Sequence, residues 1–243
     1  MESWRYCGVK GFEVKKHKET VFLQLPILKG VKHAFGTRQG GEEILEAFGL
    51  SPGQLLTFKQ VHGADVLILR EDPKTLNYPL LYDAAITDRE EVALGVWTAD
   101  CLPILMWDKS KGVVATVHAG WRGLRYEIAQ RTILRMKETF GSSPKEILVG
   151  IGPGIGPCCY EIGTEVVDLF RSPYGSHRSF IYNRGGRSYL DLCSVTQLQL
   201  LKAGVPSENM EVMPLCTACR KDLFFSYRRD GESGRQLSFI ILG

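Results

Sequence analysis

No stretch of this 243-residue chain approaches the roughly 18 uncharged apolar residues that a membrane-spanning helix requires. A secretory leader is not expected either: Met1 to Arg5 bring no apolar core, and Phe22 to Leu28 is too short and runs into Lys29. An excess of charge of one sign is nearly absent, since 30 basic side chains face 27 acidic ones and the net charge of +3 gives no footprint for a nucleic acid. The 26 glycines and 11 prolines follow no period, which excludes a collagen-like or low-complexity chain. The seven cysteines are an odd number in a chain that is neither small nor visibly secreted, so a disulfide framework is not expected. What remains is an ordinary globular composition, 44% hydrophobic and 23% charged, with the core-building capacity of a cytoplasmic protein.

Short apolar runs alternate with helical patterns, and no linker or repeat divides them. Strands are expected at Leu55 to Phe58, Val66 to Leu69, Val92 to Trp97, Ile104 to Trp107, Val113 to His118, Ile147 to Ile151 and Leu237 to Leu242. Ala129, Ile133, Met136 and Phe140 recur at helical spacing, which predicts one helix from Gly123 to Phe140 ended by Gly141. A second helix is expected from the N-cap Asp191 to Gly204, with shorter ones at Glu42 to Phe48 and Thr164 to Phe170. Between Asp83 and His118 the strands follow one another without a helix, which argues against a purely parallel sheet. The expectation is one mixed-sheet α/β (α+β) domain with α/β/α layers over residues 1–243.

Three reactive side chains close three apolar runs: His62 after Leu55 to Val61, Cys101 after Val92 to Trp97, and His118 at the end of Gly112 to Val117. Strand ends that feed loops are where α/β proteins gather ligands. Two imidazoles and a thiolate would make a three-ligand set for Zn²⁺ or copper with a position left open. The same residues allow a metal-free alternative, with Cys101 as nucleophile and His118 or His62 as its base. The 39 and 17 positions between the three form no local ligand pair, so spacing alone does not choose between these readings.

Longer blocks surround these residues. Lys59-Gln60-Val61-His62-Gly63, Thr98-Ala99-Asp100-Cys101-Leu102-Pro103-Ile104 and Val117-His118-Ala119-Gly120-Trp121-Arg122-Gly123 resemble the signatures of the YfiH family, also called the laccase-domain or multicopper polyphenol oxidase family. Thr37 to Gly41, Asp83 to Asp88, Gly150 to Gly156, Cys158 to Gly163 and Phe224 to Gly231 are similar to it as well. The resemblance implies a metal, usually zinc, on His62, Cys101 and His118. It also implies phosphorolysis of adenosine, inosine and methylthioadenosine, with adenosine deamination as a second activity. A cysteine-hydrolase-like fold shared with a toxin deamidase, and an editing role on peptidoglycan precursors, come with the same family. The laccase label itself fits poorly: four coppers need many histidines in His-x-His pairs, and this chain has five histidines and no such pair.

Other features carry alternatives. Gly150 to Pro157 reads as a tight turn or a pocket wall, because its prolines remove the donors of an anion cradle. Cys216-Thr217-Ala218-Cys219 has no second pair at zinc-ribbon spacing and reads as structural, with a redox or second metal role beside Cys158 and Cys159 as the alternative. Arg228 and Arg229, in a basic stretch with Arg220, Lys221 and Arg235, are candidates for phosphate, as is Arg38 beside its paired glycines. Asp83, Asp88 and Asp100 are candidate acid–base or supporting carboxylates, with Asp88 assigned to substrate. The expected partners are a purine nucleoside and phosphate, with no nucleic acid or membrane, in a monomer or homodimer.

Overall fold

The computed structural model describes residues 11–174, 180–232 and 234–243. The N-terminal residues Met1 to Arg5, read above for a leader, and Cys7 lie outside them.

The strands are β1 Glu13–His17, β2 Thr20–Gln24, β3 Lys32–Gly36, β4 Leu55–Leu56, β5 Val66–Leu69, β6 Ala84–Thr87, β7 Ala93–Thr98 and β8 Leu102–Asp108. They continue with β9 Val113–Ala119, β10 Ile147–Ile151, β11 Glu161–Ile162, β12 Ile181–Arg184, β13 Arg187–Leu190, β14 Met210–Val212 and β15 Gln236–Ile241. The helices are α1 Trp121–Arg125, α2 Ile128–Phe140, α3 Thr164–Tyr174, α4 Leu192–Lys202 and α5 Tyr227–Asp230. One six-stranded sheet has the order β1-β2-β3-β15-β7-β4, a second the order β14-β10-β8-β9-β6-β5, and β11-β13-β12 form a small third one. Both large sheets mix parallel and antiparallel pairs, for example β4 parallel and β15 antiparallel to β7.

Side-chain alternation explains the layering. Along β8, Leu102, Ile104 and Met106 join the core shared with α2 and α4, whereas Leu105 and Trp107 turn to the opposite face. There they meet Phe35, Leu94, Val96 and Ile240 of the first sheet. Both faces of the second sheet are therefore buried, which is why its strands read as continuous apolar runs. The outer face of the first sheet is covered by the 3₁₀ segment Glu42–Phe48 through Ile44 and Leu45, packed on Phe22, Ala34 and Phe239.

The mixed-sheet α/β class expected from sequence is the observed one, with the strands divided between two stacked sheets. The helix expected from Gly123 to Phe140 is instead two helices. Glu127 adopts φ +61 and ends the hydrogen-bond ladder of α1 before α2 begins; Gly141, at φ +68, closes α2 as expected.

Candidate metal centre

β7 ends at Thr98 and β8 starts at Leu102, so the turn between them projects Cys101 from the gap between the sheets. Asp100, at φ +91, makes this tight reversal possible. His118 is the penultimate residue of β9 and pairs with Pro103 of β8, which sets it beside that turn. His62 arrives differently. β4 stops at Leu56, and His62 is carried on a loop held by two ties. The Lys59 amide donates to Leu80 O at 2.8 Å, and the Gln60 side chain pairs with both backbone groups of Trp97 at 2.8 and 2.9 Å.

Asp83, fully buried just before β6, organises the two histidines. Its carboxylate accepts from the amides of Val61, His62 and Gly63 at 3.2, 3.0 and 2.7 Å. His118 Nδ1 lies 2.7 Å from Asp83 Oδ1, so the ring donates there and Nε2 is left to face the cavity. The two imidazoles meet edge to face with centroids 4.8 Å apart. One ligand atom from each of His62, Cys101 and His118 falls within 4.8 Å of the others.

The electrostatics are those of a charged trio. Burial opposes ionisation of Cys101, but the charge and hydrogen bond of His118, then those of His62, bring its thiol down to about 6. Burial likewise opposes protonation of His118, yet the Cys101 thiolate and Asp83 raise it to about 9. For Asp83 the bonds from His118 and Gly63 outweigh its burial and hold the carboxyl below its ordinary value.

A borderline-soft ion suits an imidazole–imidazole–thiolate set. A second observation fits an ion there. A Cβ placed on Gly120 would stand 2.9 Å from Cys101 Sγ and 3.1 Å from His62 Nδ1. The backbone of Gly120 (φ −84, ψ 171) is ordinary, so it is this space and not a turn that requires glycine. Gly120→Ala should therefore push the two ligands apart and weaken zinc binding at least about tenfold, the scale of losing a supporting contact. Competition with a chromophoric chelator measures it, and the far-ultraviolet spectrum should not change.

The trio opens into a cavity of about 1040 Å³ walled by Phe58, Trp97, Trp121, Tyr160 and Tyr227, with Arg122, Arg228 and Arg235 among the polar groups. Of the sequence candidates, the structure brings Arg228 into this wall, with its guanidinium over Tyr160 and donating to Glu161 O at 2.8 Å. It does not bring Arg229, Arg38 or Asp88. The Arg229 guanidinium donates to the carbonyls of Thr217, Ala218 and Phe224 and pairs with Asp230. Arg38 donates to Lys221 O and covers Phe225. Asp88 is exposed beyond Thr87, at the far end of β6, about 16 Å along the strand from Asp83. Asp100 is buried and its two oxygens accept from Thr217 Oγ1 (2.5 Å) and the Arg228 amide (2.7 Å), which makes it a tie for the wall. Sequence reading gave no role to Gln60, Gly120, Trp121 or Arg122, although all four lie inside the motif blocks. Cys216 and Cys219, read as structural with a redox or second metal role beside Cys158 and Cys159 as the alternative, lie with those two in one group of sulfurs.

The family described as multi-copper polyphenol oxidoreductase laccase matches residues 36–243, which hold all of these side chains. The chain belongs to this family. Among its laccase-domain relatives, a purine nucleoside phosphorylase of Clostridium acetobutylicum is 42% identical over 185 residues, 75% of each chain. Escherichia coli YfiH, also named a purine nucleoside phosphorylase, is 34% identical over 198 residues, 82% of this chain and 78% of that one. The crystal structure of YlmD from Geobacillus stearothermophilus superposes with a TM-score of 0.86 at 30% identity, covering 96% of this laccase-domain chain and 99% of that one. Among the described residues no helix is long and apolar enough to cross a membrane.

Proposed function

We propose that this laccase-domain protein is a purine nucleoside phosphorylase that depends on an ion, zinc or copper, held by His62, Cys101 and His118, and that it also deaminates adenosine. The observation that carries this reading is the trio's place in the lining of a cavity whose walls combine flat aromatic rings with three guanidiniums. The relatives named purine nucleoside phosphorylase support it.

When bound, the ion supplies Lewis acidity beside the reacting centre. The rest falls to the chain. Trp97 offers a ring on which a purine stacks, since Arg122 and Arg228 already lie over the rings of Trp121 and Tyr160, and the volume accepts a nucleoside together with phosphate. Arg228 and Arg122 orient the phosphate for attack on the ribose anomeric carbon, with Arg235 adding positive potential. Asp83 keeps the proton on His118 Nδ1. In deamination the proton shuttle falls to Glu232 of the wall, because both Asp100 oxygens already accept hydrogen bonds.

The direct test is formation of ribose 1-phosphate from inosine that rises with added phosphate. No phosphorolysis by metal-replete protein would refute the reading. A second reading is favoured by one observation: Cys101, His118 and Asp83 form a thiol–imidazole–carboxylate series that could attack an amide, such as one in a peptidoglycan precursor. Amine release from an amide without phosphate dependence would select it.

The two neighbouring arginines should separate cleanly. Arg228→Ala should raise KM for phosphate about tenfold, the worth of one charge-assisted hydrogen bond, and leave metal content unchanged. Arg229→Ala should leave KM near the parent value and cost about 1–2 kcal/mol in urea unfolding, because three backbone carbonyls lose their donor.

A further inference from the structure

Four cysteines outside the first site, Cys158, Cys159, Cys216 and Cys219, are brought together by the parallel pairing of β10 and β14. Both strands end on the same side, and each leads into a cysteine-bearing loop. The chain after β10 passes through the glycine-rich turn to Cys158 and Cys159, and the chain after β14 reaches Cys216 and Cys219. The loops are stitched where they meet. Gly154 bridges Cys216, and the Thr217 amide donates to Gly154 O at 3.0 Å. All four sulfurs fall within 4.8 Å of one another, with Cys219 at 3.6 Å from Cys158 and 3.4 Å from Cys159.

We propose that Cys158, Cys159, Cys216 and Cys219 form a second, tetrathiolate zinc site whose role is to clamp these two loops. The spacing is that of a coordination sphere: sulfurs at the corners of a tetrahedron about 2.3 Å from zinc stand about 3.8 Å apart. Two disulfides would pair the sulfurs two by two at about 2.05 Å, whereas Cys219 has two near neighbours at similar distance. The surroundings suit an anionic cluster. The Gly156 amide donates to Cys216 Sγ at 3.2 Å, a bond that orients a ligating sulfur. Arg184 donates to the carbonyls of Pro157 and Cys158, and Arg229 to those of Thr217 and Ala218, which places a guanidinium beside each cysteine pair. Binding forms four Zn–S bonds and releases the thiol protons to solvent, with no change of oxidation state. The clamped loops continue into Tyr160 of the cavity wall and into Thr217, the partner of Asp100.

The proposal is independent of what the first site does, and metal stoichiometry tests it without an activity assay. Zinc-replete parent protein should carry about two ions per chain, and the variant with His62→Ala, Cys101→Ala and His118→Ala together should keep about one. Titrating that variant with a mercurial should release the ion as four thiols react. In the same triple variant, where Cys101 contributes no sulfur, cobalt(II) exchanged into the site should show the intense thiolate charge-transfer and shifted d–d bands of four-sulfur coordination. Cys216→Ser with Cys219→Ser should lower the parent's content by about one ion. A first site that holds no metal would reduce the parent to about one ion, which the double serine variant would then lose; that outcome still supports this proposal. A folded triple-alanine variant free of metal overturns it. So does a disulfide among these four cysteines, found by mass spectrometry in zinc-replete protein.

Discussion

Replacing any one of His62, Cys101 or His118 by alanine is expected to empty the first site and to cut kcat/KM by far more than the 10–100-fold typical of an outer partner. Elemental analysis beside the phosphorolysis assay checks it. The three should differ in what else they cost. His62 is exposed on its loop, so His62→Ala should unfold in urea near the parent midpoint. Asp83 gives the opposite pattern: it touches no ion, is fully buried, and joins His118 to three consecutive amides. Asp83→Ala should destabilise the fold by about 3–5 kcal/mol, the cost of breaking a buried charged network, and disorganise both histidines. Asp83→Asn keeps the volume but turns an amide NH₂ toward donors. It should weaken zinc binding about 10–100-fold while the chain still folds. An Asp83→Asn protein with parental zinc affinity would remove Asp83 from the site.

What the sequence made legible follows from which interactions are local. β8 and β9 stand out because both of their faces are buried and their runs are apolar without interruption. Cys101 follows the end of β7 and His118 lies at the end of β9, the places where the sequence puts ligand-bearing side chains. β1 to β3 went unread for the opposite reason. Glu13–His17 is an exposed edge with four charged or imidazole side chains among five, and Lys32–Gly36 has only two apolar side chains, both buried. Their strand character comes from pairing, and β3 finds a partner in β15 some 200 residues later. The division into two sheets is non-local in the same way. The substrate candidates differ in direction: Arg228 lines the cavity, whereas Arg229, Arg38 and Asp88 point elsewhere. An arginine in a basic stretch is equally free to bind phosphate or to cap carbonyls, and one residue of phase on α5 separates Arg228 in the wall from Arg229 behind it. The sulfur cluster stood only as the alternative reading of Cys216 and Cys219, because Cys158 and Cys216 lie 58 positions apart and meet only through β10 and β14.

The reactivity of Cys101 decides between ion-dependent and cysteine-nucleophile chemistry, and the expected difference is large. With an ion on its sulfur, the thiolate is engaged, and iodoacetamide should modify Cys101 slowly in holoprotein. Removing the metal should expose a thiolate stabilised by His118 and His62. Its alkylation should then be half-maximal near pH 6, more than two units below an ordinary thiol, and level above it. Because the thiolate fraction rises with pH through that value, acidification to pH 5 should protect Cys101 about tenfold. Turnover should vanish on stripping, and zinc should restore both protection and activity. A cysteine nucleophile predicts the reverse: metal-free protein stays active, one equivalent of reagent inactivates it, and substrate leaves an adduct on Cys101 visible by mass spectrometry. The geometry favours the ion. His62 is held on its own tethered loop with a ligand nitrogen beside Cys101 Sγ, in a space that Gly120 keeps free. A thiol–imidazole pair made by Cys101 and His118 alone would leave that arrangement without a use.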